Sequence, residues 1–187
     1  MLSTFSLWLE RSARGRIVLL ALAVFLLFTA LVLPAQAAAA SRTAAGAGSP
    51  DMSFSYSSRD LYRMAEAYGA QGRAAYIRAR FTFDLLWPLV YTFFLASAIS
   101  WLLRGVQPAQ LRLLNLLPVL GAFFDYLENL STSLVMLRYP QPTPILDQLA
   151  PLFTLVKWIL VYGSFVVLLA GAVAAVARAL KARSQPA

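Results

Sequence analysis

The sequence predicts an all-α protein, an integral membrane four-helix bundle with an additional amphipathic helix in the first outer loop. Three observations carry this. Hydrophobic residues make up 60% of the 187 residues and the mean hydropathy is +0.67, well above the usual composition of a soluble domain. Four segments are apolar for long enough to cross about 30 Å of hydrocarbon at about 1.5 Å per residue. These segments occupy so much of the chain that no separate globular domain of typical size fits beside them, so residues 1–187 read as one membrane domain.

The first membrane helix is expected over 17–37. It follows a stretch in which Leu2, Phe5, Trp8 and Leu9 recur at helical spacing before Arg11, Arg14 and Arg16, a pattern fitting either an interfacial helix or a basic flank. Ala35, Gln36 and Ala37 also form an A-x-A site of the kind cleaved in signal peptides, but the apolar core before it is longer than usual, and a retained helix is expected. Residues 38–56, rich in Ala, Ser and Gly, lack a period and predict a flexible linker. Over 57–79, Ser57 and Asp60 form a capping pattern, and Leu61, Met64, Ala65 and Tyr68 share a face, predicting an amphipathic helix on the outer surface. The remaining membrane helices are expected over 81–103, 111–137 and 151–179. A turn with Gly105 and Pro108 separates the first two, and YPQPTP, residues 139–144, separates the last two.

Basic residues set the expected orientation. Arg11, Arg14 and Arg16, then Arg104 and Arg112, then Arg178, Lys181 and Arg183 all fall on one side of such a bundle, which the positive-inside rule makes cytoplasmic. Both termini are then cytoplasmic, in a bacterial inner membrane or another plasma membrane. The net charge of +8 is spread along the membrane flanks, so lipid headgroups are the expected partners, with self-association or another membrane protein as further possibilities and nucleic acid not expected.

Cysteine and histidine are both absent. This excludes disulfides, thiol nucleophiles, His-dependent triads and the usual zinc and haem sites, so neither a metal nor a cofactor is expected. Walker, dinucleotide-binding, G-x-S-x-G and H-E-x-x-H motifs are absent as well.

What remains for function is a polar stripe on apolar helices. In GAFFDYLENLST, residues 121–132, the spacing puts Asp125, Glu128, Asn129 and Thr132 on one helical face. Ionisable groups at membrane depth are costly and mark functional sites by default. With the expected orientation, Asp84 lies about 5 Å, Lys157 about 9 Å and Glu128 about 14 Å below the outer ends of their helices. Asp84 and Tyr91 share a face of the second helix, and Lys157 shares one with Ser164 and Gly171 on the fourth. Pro88 and Pro118, lacking N–H groups, would leave the carbonyls of Asp84 and Leu114 free. The candidate ligand-binding set is Asp84, Trp87, Tyr91, Asp125, Glu128, Asn129, Thr132, Lys157 and Trp158, with the aromatics as walls.

The bland alternative is that Lys157 pairs with Glu128 or Asp125, Asp84 with Arg80, and Asn129 and Thr132 bridge helices, fixing register. Three acids against one lysine exceed what such pairing neutralises. The expected function is therefore a polar acidic pocket in the outer half of the bundle that binds an amphiphilic or lipid-like ligand or couples to protons. Two alternatives stay open: an accessory or assembly subunit of a larger membrane complex, and a membrane enzyme using an acid/lysine pair. In helix number and mid-membrane acid placement, the chain resembles the superfamily of the sterol isomerase and the sigma-2 receptor. The histidine that a sterol-isomerase site would need is missing, so the resemblance implies no activity here.

Overall fold

A computed structural model describes residues 2–44, 46–106 and 108–184 of the chain. Residue 45 of the expected linker, residue 107 of the expected turn, and residues 1 and 185–187 of the expected domain lie outside the described residues. Those described form helices joined by short turns, with no strand among them.

The helices are α1 (Leu2–Ser12), α2 (Gly15–Leu27), α3 (Leu33–Thr43), α4 (Ser58–Ala67), α5 (Gly69–Arg80), α6 (Phe83–Leu102), α7 (Leu117–Arg138) and α8 (Leu146–Arg183). Three helical runs are long and apolar enough to cross a membrane: Gly15–Arg42, Gly69–Leu102 and Leu146–Lys181. The first joins α2 to α3 through a π turn over Phe28–Val32, in which the Leu33 N–H bonds the Phe28 carbonyl. Pro34 accounts for it, because its ring removes one donor and the wider turn absorbs the mismatch. The second joins α5 to α6 with a break at Phe81–Thr82.

Boundaries differ from the sequence expectation in ways the local chemistry explains. Residues 38–43, expected as linker, continue the first helix, since the alanine run there has the highest helix propensity. The expected outer helix over 57–79 is two helices, α4 and α5, meeting where Gly69 takes φ +60°. The helix expected from 111 begins at Leu117, with a 3-10 turn over Ala109–Leu116 before it. Pro118 therefore lies in the first turn of α7, where its missing N–H costs no internal bond, and its own carbonyl accepts from Thr92 Oγ1 at 3.1 Å. Helix α8 begins earlier than expected, at Leu146, and takes Pro151 into its second turn.

Helix α7, at about 33 Å for its 22 residues, is long enough to span but carries too many polar groups to rank with the three apolar runs. It lies at the centre, packed most extensively on α8 and also on α6 and α5. Most of its polar residues are buried, Asp125, Glu128, Asn129, Ser131, Thr132 and Ser133 among them. One apolar cluster, around Tyr91, Leu95, Ile99 and Val161, joins α2, α6, α7 and α8, and a second, around Leu61, Ala65, Tyr76 and Val135, seats α4 and α5 against α7.

Candidate functional site

The α7–α8 register positions the polar groups. A Cβ at Gly121 would meet Val161 Cγ2 at 3.2 Å, so only glycine gives this close an approach without displacement. From that contact the helices run antiparallel, and one turn along each brings Asp125 opposite Lys157. Lys157 Nζ lies 3.8 Å from Asp125 Oδ1 and 2.5 Å from Glu128 Oε2. Glu128 is fully buried and Lys157 is 4% exposed. The Tyr91 hydroxyl donates to Asp125 Oδ2 at 3.2 Å from α6, and the Asn129 amide reaches Asp125 Oδ1 at 3.5 Å.

A second group repeats the pattern nearer the 46–57 loop. Arg80 Nη1 lies 3.0 Å from Asp51 Oδ2, and its Nε lies 2.8 Å from Asp84 Oδ2. Its guanidinium also stands 4.7 Å over the Tyr76 ring, and the Tyr76 hydroxyl donates to Thr132 Oγ1 at 3.1 Å. Each buried cation is thus shared by two carboxylates, giving two triads of one excess negative charge if all groups are ionised.

The 46–56 segment, expected as part of a flexible linker, is fastened at several points. Its 3-10 turn, Pro50–Met52, buries Pro50 and aims Asp51 at Arg80. The Tyr56 hydroxyl pairs with Thr154 Oγ1 at 3.0 Å, Tyr68 donates to the Gly48 carbonyl at 2.6 Å, and Phe54 packs on Tyr162. Burial raises the pKa of Asp51, but the charges of Arg80 and Lys157 and the Ser49 hydroxyl outweigh it and hold the group below the ordinary carboxylate value. Burial and the Glu128 charge push the Tyr56 phenol up, so it remains neutral.

Of the nine residues singled out from sequence, Tyr91, Asp125, Glu128, Asn129 and Lys157 share one cluster. Trp158 joins it through its ring, 4.9 Å from Lys157 Nζ and stacked on Tyr162. Thr132 links it to Tyr76, and Asp84 belongs to the Arg80 triad. Trp87 stands apart, stacked on Phe25 and Phe28 and touching the cluster only through the edge of Tyr91. Sequence reasoning passed over Asp51, Tyr56 and Tyr76 as site residues. The only available signal was a lone carboxylate, Asp51, following Pro50 in a tract of small residues.

A hollow of about 480 Å³ lies elsewhere, lined by residues such as Tyr56, Asp60, Arg63 and Met64, and includes none of the nine. Within the cluster, Glu128 Oε1, Asn129 Oδ1 and Trp158 Nε1 are buried without a hydrogen-bond partner among the described residues. No group of three or more acids among those residues is arranged to hold a metal ion. Neither a family model, a curated protein nor a solved structure matches this chain.

Proposed function

We propose that the chain is a four-helix membrane protein with an interior acid site that takes up a proton or a cationic headgroup from the outer side. The four crossings are Gly15–Arg42, Gly69–Leu102, α7 and α8. Helix α7 has its polar face covered by α5, α6 and α8, which removes the penalty that would otherwise bar it from lipid. The basic residues around α1, the 103–116 turn and the end of α8 favour, by the positive-inside rule, a cytoplasmic position for that end and for both termini.

The observation that carries the acid-site reading is the sharing of Lys157 between Asp125 and Glu128. A single lysine cannot neutralise two carboxylates in a dry interior, so the cluster is one positive charge short. A proton supplies that charge with no change of packing. A cationic amphiphile would supply it through the orphaned Glu128 Oε1, with Trp158 and Tyr162 as its aromatic wall. The assembly-subunit alternative gains less support, because Gly121 and Gly171 are used against Val161 and Leu102 inside the chain, not left for a partner.

The test is a proton titration of the chain reconstituted in vesicles, comparing wild type with Asp125→Asn/Glu128→Gln. Loss of proton uptake between neutral and acidic pH in the variant supports the reading. Identical titration curves for two folded proteins would sink it.

A further inference from the structure

Helix α1 has three faces with different surroundings. Ser6 is buried and Glu10 half-buried on the face turned to the bundle, and Ala13, just past the end of the helix, is buried on the same side. That face is pinned. The Ser6 hydroxyl donates to the Arg112 carbonyl at 3.2 Å, and the Asn115 amide donates to the Ser6 carbonyl at 3.1 Å. Arg104 donates to the Glu10 and Ala13 carbonyls at 2.6 Å each, and Arg112 pairs with the Glu10 carboxylate at 3.4 Å.

With 3.6 residues per turn, Leu2, Phe5, Leu9 and Trp8 fall on the arc beside the pinned face, while Ser3, Thr4, Leu7 and Arg11 occupy the remainder. Leu2 is 69% exposed, Phe5 40% and Trp8 58%, and the Phe5 and Trp8 rings stack on each other. A helix held by protein on one side, largely apolar on the next and largely polar on the third fits the plane of a membrane interface. Its polar arc carries Arg11, and Arg14 and Arg16 follow it, at the cap and in the first turn of α2. Arg11, Arg14 and Arg16 are exposed and make no ion pair among the described residues, and Glu10, the one carboxylate before Asp51 in the sequence, is already taken by Arg112.

We infer that α1 is an interfacial helix that seats its Phe5–Trp8 face in the leaflet at the cytoplasmic end, where Arg11 and, at the start of α2, Arg14 and Arg16 bind anionic phospholipid headgroups. The occupant is a lipid surface, not a soluble protein, because the apolar arc adjoins the end of a membrane span and the free charges are all positive. The inference rests on the chain being inserted in a membrane and is independent of the acid site.

The absence of cysteine allows single-site spin labelling of the whole chain in vesicles. Phe5→Cys and Thr4→Cys place labels on the apolar and polar arcs, and each is compared for contact with oxygen, which concentrates in lipid, and with a water-soluble nickel chelate. In phosphatidylglycerol vesicles the label at 5 is expected to favour oxygen and the label at 4 the chelate. In phosphatidylcholine vesicles, or after Arg11→Gln/Arg14→Gln/Arg16→Gln, immersion at 5 should weaken by at least about fivefold, in line with the attraction of a basic residue to an anionic surface. A water-exposed label at 5 in anionic vesicles would leave the face to a protein partner and overturn the inference. Immersion indifferent to both lipid charge and the arginines would overturn the headgroup role.

Discussion

Lys157 Nζ lies 2.5 Å from Glu128 Oε2, and the two side chains are among the most deeply buried charges in the chain. Their pairing is lopsided, because Lys157 also lies 3.8 Å from Asp125 while Glu128 has no second cation among its ion pairs. Loss of the lysine and loss of the glutamate should therefore differ in cost. Lys157→Met leaves two buried carboxylates facing each other and is expected to destabilise by about 3–5 kcal/mol at neutral pH. Glu128→Gln leaves Lys157 with Asp125 and should cost no more than about 1 kcal/mol. Unfolding of both variants in the same detergent checks this, and equal losses would contradict the shared-lysine arrangement.

The α7–α8 approach at Gly121 sets that arrangement one turn away. Gly121→Leu would force its side chain onto Val161 and Leu160, with an expected cost of about 1–3 kcal/mol from overpacking. Gly163 has open space around its Cβ position, so Gly163→Ala serves as the control and should be stable. Thermal unfolding of the two variants separates a register-setting glycine from an incidental one.

The strap over 49–56 depends on Asp51. Asp51→Asn removes its charge from Arg80, which keeps Asp84, so the bundle should persist while the strap loosens. Amide exchange in 49–56 is expected to rise on the order of tenfold, with α7 unchanged. Exchange that rises equally everywhere would show that Asp51 supports the whole fold instead.

Acid should weaken the start of α4 through Asp60. Asp60 is held at about 2, from an ordinary 3.8, by the Ser57 hydroxyl and backbone N–H and then by Arg63. A depressed carboxylate contributes stability that is present above its unfolded value and is lost as pH falls through its folded one. The capping of α4 should then weaken between about pH 4 and about pH 2, with Asp51 following the same sign. Circular dichroism over this range, compared with Asp60→Asn, reads the helical contribution, and an identical acid response in the variant would contradict it.

The elements that sequence reading reached are those determined by local pattern. Apolar length marks the three strongest spans, and the spacing of Asp125, Glu128 and Asn129 puts them on one face because helix geometry alone fixes it. The Ser57–Asp60 capping box is likewise local, with both of its hydrogen bonds formed. Contacts across long sequence separations were not legible. Asp51 meets Arg80, and Tyr56 meets Thr154, only after the helices have packed, and a tract of Ala, Ser and Gly carries no period that announces either contact. Pro118 misled for a related reason: its missing N–H fits a helix start as well as an interior position that frees the Leu114 carbonyl, and in the structure that carbonyl accepts from the Leu117 N–H in the 109–116 turn, which packs against α1 and α6.

Infrared difference spectroscopy of the reconstituted chain reads the protonation of Asp125 and Glu128 itself, because a protonated carboxyl group has a C=O band distinct from that of a carboxylate. The shared lysine leads us to expect such a band as the folded protein takes up a proton between neutral and acidic pH, removed or shifted by Asp125→Asn or Glu128→Gln and unaffected by Asp60→Asn. A spectrum with no protonated carboxyl at neutral pH, and none appearing from Asp125 or Glu128 on acidification of the folded protein, would contradict it.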